Sequence, residues 1–228
     1  MNSALLQLLH LSDPTLPIGG FSHSNGLETY VQKDIVKDEP SALLFIQNML
    51  SQSIVYNDAS YLSFVFSAIE NEDWDTIISL DNHCNATKLP SEIRIASQKL
   101  GLRLIKIFQS LDENKNIQIL HQKIKSKELY GHYCIVFAII AHALKLNKKE
   151  ALTGFYYNAA TAFTTNCVKL IPLGQQSGQQ IILKLMPLME TLVAASMQPE
   201  KSKLGLCSIG FDIRAMQHEN LYSRLYMS

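Results

Sequence analysis

Residues 166–180 read Asn-Cys-Val-Lys-Leu-Ile-Pro-Leu-Gly-Gln-Gln-Ser-Gly-Gln-Gln, and this stretch marks a corner between two helices. Pro172 has no amide hydrogen and disfavours the helical backbone at the residue before it, so the helix predicted over 148–171 should end there. Gly174 gives the chain extra freedom to turn. The apolar helical pattern then resumes at Ile181, Leu185, Leu188 and Leu192. We predict a second helix over 175–197 and a rigid corner between the two.

Lys169 stands out within the first of these helices. It lies at helical spacing from residues that are apolar or uncharged, namely Phe155, Ala159, Ala162 and Asn166. A cation on such a stripe either extends its ammonium group to solvent or has a partner. A rigid corner directly after Lys169 could present this side chain outward to a partner.

Composition indicates a folded, soluble protein. The chain has 228 residues, of which 47% are apolar and 18% charged, and its 20 basic and 20 acidic side chains cancel. A neutral chain has no electrostatic footprint for nucleic acid or for an anionic membrane, so we expect neither as a partner. The longest purely apolar run, residues 134–141, is far below the ~20 residues that span a bilayer. We expect a single cytoplasmic domain over residues 1–228.

Helical periodicity dominates the rest of the chain. Helices are predicted near 5–11, after Pro40, near 61–69, from Pro90 to about Leu111 and over 131–146, the last as a central helix buried on several sides. Residues 112–127 read as a polar connection with a short helix. Alternation typical of strands is brief wherever it occurs. The predicted fold class is therefore all-α, a single-domain helical globule of eight to ten helices.

The metal-ligating side chains are scattered. Cys84, Cys134, Cys167 and Cys207 form no CxxC pair, which favours reduced, packed thiols. His132 and His142, ten residues apart on one helix, would point about 80° away from each other and lie about 15 Å apart. They cannot share a metal ion, and His83 beside Cys84 has no further ligand nearby. We predict no metal site and no cofactor.

No catalytic motif is complete. The phosphate-binding patterns GxxxxGK[ST] and GxGxxG do not occur. His218-Glu219 resembles half of a zinc-protease motif, but Tyr222 occupies the position of the second ligand. Ser22-His23-Ser24 lacks a nucleophile-elbow context. We therefore predict no catalytic residues and no enzyme activity.

Two surfaces remain of interest. The loop Leu-Pro-Ile-Gly-Gly-Phe-Ser-His-Ser-Asn-Gly-Leu-Glu, residues 16–28, is either a plain connection or a shaped surface that positions Phe21, His23 and Glu28. The C-terminal tail, residues 205–228, is rich in Tyr, Met and Arg in its last part, a composition typical of interface cores. The tail is interpreted either as such an interface or as a helix folded back on its own domain.

Four ordered blocks resemble the urease accessory protein UreF family. They are the N-terminal Leu-Leu-Gln-Leu-Leu-His-Leu-Ser-Asp-Pro-Thr-Leu-Pro-Ile-Gly-Gly-Phe-Ser-His-Ser-Asn-Gly-Leu-Glu (5–28), Glu-Ile-Arg-Ile-Ala-Ser-Gln-Lys-Leu-Gly (92–101), the corner (166–180) and the tail end (212–228). Residues 74–89 and 111–127 carry little of the resemblance.

The resemblance implies an all-α, non-enzymatic adaptor. Such an adaptor works as a homodimer and joins UreD, also called UreH, to the GTPase UreG on the way to apo-urease, where nickel is inserted. By resemblance Lys169 and Arg224 contact the GTPase, the tail from Asp212 is ordered by UreD/UreH, and Glu28 helps to gate GTP hydrolysis. The full set of expected partner-binding residues is Glu28, Lys169, Gln175, Asp212, Met216, His218, Glu219, Tyr222 and Arg224.

Two other functions stay open from the residues alone. The alternative is a nickel-binding carrier that uses His and Cys side chains directly, with His83, His132 and His142 as its candidates. A hydrolase built on His23 or His218 is a more distant possibility.

Overall fold

The computed structural model describes residues 3–20, 23–111 and 113–227, so Phe21, Ser22 and Asp112 lie outside the described residues. Within these ranges the chain forms ten helical segments, two 3₁₀ turns (Phe108–Leu111 and Lys201–Lys203) and no strand. The segments are α1 (Ser3–Leu11), α2 (Leu27–Gln32), α3 (Glu39–Asn48) joined by a π-helical stretch (Met49–Ala59) to α4 (Ser60–Glu70), α5 (Trp74–Thr87), α6 (Ser91–Ile107), α7 (Lys115–Lys125), α8 (Tyr133–Ala143), α9 (Lys148–Leu170), α10 (Gln175–Ser196) and α11 (Ile209–His218). The predicted all-α class is confirmed.

Helix α8 is the centre of the core. Every residue from Cys134 to Ala141 is fully buried, and α4, α6, α7 and α9 all pack against this helix. A helix that is apolar on all sides can only be stable inside such a ring of neighbours. The prediction of a central helix is confirmed.

The corner has the predicted form. Helix α9 ends at Leu170, Ile171 is extended (φ −124°, ψ 155°), and α10 begins at Gln175. The role given to Gly174 was wrong, because its φ of −72° is open to any residue and a Cβ there would meet nothing within 4 Å. The break therefore comes from Pro172. The glycine that packing requires is Gly178, whose Cβ would lie 2.9 Å from Val168 on α9.

Two parts of the helix assignment needed correction, besides the short helix α2, which was not predicted. The helices predicted after Pro40 and near 61–69 are one continuous run, since no glycine or proline interrupts residues 41–70 and the π-helical stretch carries the backbone across. Helix α5 was missed because its composition is polar. Its buried edge, Ile77, Leu80, Asp81 and Cys84, nevertheless has helical spacing, and the Asp73 side chain caps its first turn.

The start of α8 is held by a buried carboxylate. Asp81 accepts hydrogen bonds from the backbone N–H groups of Tyr130 (2.5 Å), Gly131 (3.2 Å) and His132 (3.1 Å). Burial raises the pKa of Asp81, and these three hydrogen bonds oppose that rise. The anchored backbone crosses α6 at Gly101, where a Cβ would overlap the carbonyl oxygen of Gly131. Glycine is therefore the residue that this close approach allows at position 101.

Replacing Gly101 with alanine should lower the free energy of unfolding by at least about 2 kcal/mol, because a rigid backbone carbonyl cannot move aside. Gly210→Ala is the matched control. A Cβ at Gly210 meets nothing within 4 Å, so this change should stay within about 0.5 kcal/mol of the wild type. Urea unfolding followed by circular dichroism measures both values. Equal stability of the two variants would contradict the packing described here.

Candidate docking surface at the C-terminal tail

The C-terminal tail folds back onto the domain. Helix α11 packs against α2 and α6, and Ala215 on its inner side is buried. Gly26, at the start of α2, has a φ of +79°, and a Cβ there would lie 3.3 Å from the Ala215 backbone. The positive φ and the close approach both favour glycine at this position. Of the two interpretations of the tail, a helix folded back on its own domain describes this inner side.

Glu28 is the buried acceptor for the tail. Only 5% of its surface is exposed. One carboxylate oxygen accepts a hydrogen bond from the Leu225 backbone N–H at 2.6 Å. The other lies 3.0 Å from His218 Nε2 and 3.2 Å from the Tyr226 backbone nitrogen. Both oxygens of Glu28 are therefore occupied by the tail.

Glu92, on α6, forms the second half of this arrangement. Its two oxygens lie 2.7 Å from His218 Nδ1 and 2.7 Å from Arg224 Nη1. His218 is fully buried between Glu28 and Glu92. Glu28 and Glu92 thus hold the His218 ring through its two nitrogens, and Glu92 also binds Arg224.

Weaker tethers hold the rest of the tail. Ser91 Oγ donates to Glu219 at 2.6 Å, and the Gln32 side-chain amide donates to the Ser223 carbonyl at 3.1 Å. Upstream of α11, Ser208 Oγ donates to the Gln52 carbonyl at 2.9 Å. These bonds come from three different parts of the domain, so the path of the tail is fixed along its length.

The outer side of the tail is apolar and exposed. Ile209, Ile213 and Met216 recur at spacings of four and three residues, which places them on one stripe of α11. Beyond the helix, Tyr222, Leu225 and Met227 are also exposed. We call these six residues the tail surface. Several large apolar side chains exposed together on one segment are typical of an interaction site.

The corner lies close to the end of the tail. Helix α2 contacts both α9 and α11. Burial raises the pKa of Tyr226, with further contributions from Glu28 and from Cys167 in the last turn of α9. Lys169 in that same turn is exposed, as is Gln175 at the start of α10. The corner is also tied to the N-terminal loop, because the Asn166 amide donates to the His23 carbonyl at 2.8 Å.

The nine expected partner-binding residues divide by exposure. Six are exposed, namely Lys169, Gln175, Met216, Glu219, Tyr222 and Arg224, and Asp212 is half-buried. Glu28 and His218 are buried and bonded to each other. Sequence reasoning missed Glu92 as a site residue. Its membership in one of the four blocks was the only available signal, since nothing in the spacing links position 92 to 218 or 224.

The histidines proposed as nickel ligands lie in separate environments. His83 bonds to the Tyr61 hydroxyl at 2.6 Å, and His142 packs against the ring of Phe66. His132 is buried beside Ser97, and burial lowers its pKa to about 3, helped by nearby Lys88 and Arg94. Among the residues that the structure describes, no group of three or more His, Cys, Asp or Glu side chains could hold a metal ion.

A cavity of about 140 Å³ lies behind α11, with His23, Phe155 and Phe211 among its lining residues. Its wall also carries Asp58 and Lys88. Lys88 donates to Asp58 at 2.9 Å and to the Asn57 carbonyl at 3.0 Å. The two wall charges are therefore engaged with each other.

In the described part of the chain no helix is both long and apolar enough to cross a membrane.

Comparison with known proteins identifies the family of this chain. The UreF family model matches residues 36–186. The chain belongs to the UreF family. A urease accessory protein UreF from Actinobacillus pleuropneumoniae serotype 5b (strain L20) is 47% identical over 221 residues, 97% of each chain. One from Haemophilus influenzae (strain PittEE) is 47% identical over 97% of this chain and 94% of its own, and one from Bacillus sp. (strain TB-90) is 34% identical over 98% and 99%.

The thiol of Cys207 can serve as a chemical probe of the tail in this UreF-family protein. Cys207 is exposed, and its thiol donates to Asp212 at 2.9 Å, which raises the pKa of Cys207 to about 11. Replacing Asp212 with asparagine removes the negative charge that opposes the thiolate. Iodoacetamide at pH 8 should then alkylate Cys207 roughly tenfold faster or more.

Cys167 is the internal control for this experiment, because it is buried and burial raises its pKa to about 12. Peptide mass mapping gives the rate at each thiol. An unchanged Cys207 rate in Asp212→Asn would show that the two side chains are not in contact.

Proposed function

We propose that this chain is a non-enzymatic adaptor in urease maturation. It joins UreD/UreH to the GTPase UreG, modulates the GTPase cycle and supports nickel insertion into apo-urease. Family membership and the names of the relatives support a role as a urease accessory protein. The observation that carries the adaptor role is the tail surface, an exposed apolar stripe fixed to the domain by buried charges and lying beside an exposed corner.

The chemistry of the region supports binding in preference to catalysis. Glu28, His218, Glu92 and Arg224 are bonded to one another. Groups that are satisfied in this way stabilise a surface and have little capacity left to activate a substrate. The nucleotide and metal chemistry then belongs to the GTPase.

We assign the two exposed areas, the tail surface and the corner, to two different partners. We assign the tail surface to UreD/UreH, because its apolar side chains suit a partner recognised by shape. We assign the corner, with Lys169 and Gln175, to UreG, because a cation at the end of a rigid helix suits an acidic patch on the partner. The chain works as a homodimer in the cytoplasm.

Charge reversal at Lys169 tests this assignment. Lys169 is exposed, so Lys169→Glu should leave the fold intact. In size-exclusion chromatography with the cognate UreD/UreH and UreG, the variant should retain UreD/UreH and lose UreG, with at least about a tenfold weaker affinity. The GTPase rate of the mixture should fall to that of UreG without the adaptor.

Lys149→Glu is the matched control, because Lys149 is exposed at the opposite end of the same helix. It should recruit both partners as the wild type does. Normal recruitment of UreG by Lys169→Glu would refute the corner as the GTPase site. Failure of the wild type to bind either partner would refute the adaptor function itself.

A further inference from the structure

We propose that the outward face of α6, together with the end of α7, is a docking surface for an acidic surface on another protein. Four exposed side chains of α6 define this face. They recur at spacings of four, three and four residues, and we call them the α6 stripe: Ile95, Lys99, Leu102 and Lys106. The α6 stripe shares no residue with the tail surface or the corner, so it adds a third binding surface to the chain.

Charge is unevenly distributed along this neutral chain. Residues 91–130 contain eight Lys and Arg side chains against four Asp and Glu, so this segment carries a formal charge of +4 and the remainder carries −4. Helices α6 and α7, which form most of the segment, each carry a formal charge of +3. The net charge of zero therefore conceals a basic region, and a basic region attracts an acidic partner.

Several cations of this region have no carboxylate partner. Lys123 pairs with Glu128 at 2.9 Å, and Arg103 donates to the Ile18 carbonyl at 3.1 Å. Four further lysines are exposed and form no ion pair with any residue that the structure describes, namely Lys99, Lys106, Lys125 and Lys127. Their charges are thus available to acidic groups on another molecule.

The unpaired lysines of α6 and α7 are neighbours in the fold. Gly131 lies between the two helices, since a Cβ built on it would be 3.1 Å from Ile124 of α7 and 3.8 Å from Leu102 of the α6 stripe. Lys125 and Lys127 follow Ile124 closely in the chain. The end of α7 therefore adds its cations to the middle of the α6 stripe.

The stability of α6 does not account for its cations. Lys99, Arg103 and Lys106 follow one another at spacings of four and three residues, where like charges on a helix repel. Burial lowers the pKa of His23, and the charges of Lys99 and Arg103 lower it further. Only Lys106 lies in the last turn, where the helix dipole favours a cation. Exposed charges that oppose the local stability of a helix are typical of a functional surface.

The apolar members of the α6 stripe favour a protein over a nucleic acid. Ile95 is 46% exposed and Leu102 is 36% exposed, and they alternate with Lys99 and Lys106. Apolar contacts within a polar rim are typical of protein interfaces, whereas nucleic-acid binding depends on cations that face phosphates. The occupant is therefore an acidic protein surface that also offers apolar side chains.

The first experiment uses the isolated full-length protein and two fluorescent probes, a short peptide rich in glutamate and leucine and a short duplex DNA. Fluorescence anisotropy gives the affinities at low and at high salt. The wild type should bind the peptide at low salt and release it as salt screens the charges. Lys99→Glu/Lys106→Glu should bind the peptide roughly tenfold more weakly or worse.

Lys145→Glu/Lys149→Glu is the matched control, because both lysines are exposed outside this region and the net charge changes equally. It should bind the peptide as the wild type does. An equal loss in the two double variants would mean that only net charge matters, and this would overturn the inference. Tighter binding of the duplex DNA than of the peptide, or no peptide binding at low salt, would overturn it as well.

The neutral variant Lys99→Gln/Lys106→Gln separates binding from folding. It should also bind the peptide more weakly, while its midpoint of urea unfolding stays unchanged or rises, because like-charge repulsion along α6 is relieved. A lower midpoint would show that the two lysines serve the fold and would overturn their role in docking.

The second experiment identifies the natural partner by carbodiimide cross-linking, which joins a lysine amine to a carboxylate in contact with it. In a mixture with the cognate UreD/UreH, UreG and apo-urease, Lys99 or Lys106 should be linked to an acidic residue of one of these proteins. Lys145 and Lys149 should give no such link.

The remaining outcomes separate this inference from the proposed function. Links from the α6 stripe only to a second copy of this chain, or no links in a mixture that co-elutes, would overturn the inference. If no partner co-elutes with the wild type, the adaptor function fails, whereas the peptide experiment still decides whether the α6 stripe binds an acidic protein surface.

Discussion

The contact of the buried His218 ring with two carboxylates, Glu28 on α2 and Glu92 on α6, is the interaction on which the outer surface depends. Charged side chains inside a protein are stable when they are paired. Removal of one partner leaves the other buried without compensation, which lowers the free energy of unfolding. These three side chains bring together the beginning, the middle and the end of the chain. The tail is thus held by a buried hydrogen-bonded set of side chains that come from three parts of the chain.

Packing in the rest of the fold positions the two helices that carry these carboxylates. Helix α8 fills the core and packs against α6, whose position is fixed by the contact of Gly101 with the anchored backbone at Gly131. Helix α2 lies between α9 and α11. The corner that ends α9 and the tail that follows α11 are consequently close neighbours, and an adaptor can use them together to hold two partners.

Local chemistry made much of the fold predictable. Pro172 disfavours a helical backbone at Ile171, and the apolar run from Cys134 to Ala141 belongs to a helix buried on all sides. Gly174 misled the sequence analysis because glycine permits unusual backbone angles without requiring them. Helix α5 was missed because its composition is polar. Its four inward-facing side chains are nevertheless enough to pack it against the domain. The charge network was beyond prediction, since Glu28 and His218 are 190 positions apart and only the folded chain brings them together.

Hydrogen–deuterium exchange of the unmodified protein, alone and then with UreD/UreH, tests most directly whether the tail is docked by internal charges before any partner binds. The amides of Leu225 and Tyr226 should already be protected in the isolated protein, because both donate to a buried carboxylate. Addition of UreD/UreH should then slow exchange in α11. Unprotected amides at both positions in the isolated protein, with protection appearing only in the complex, would contradict it.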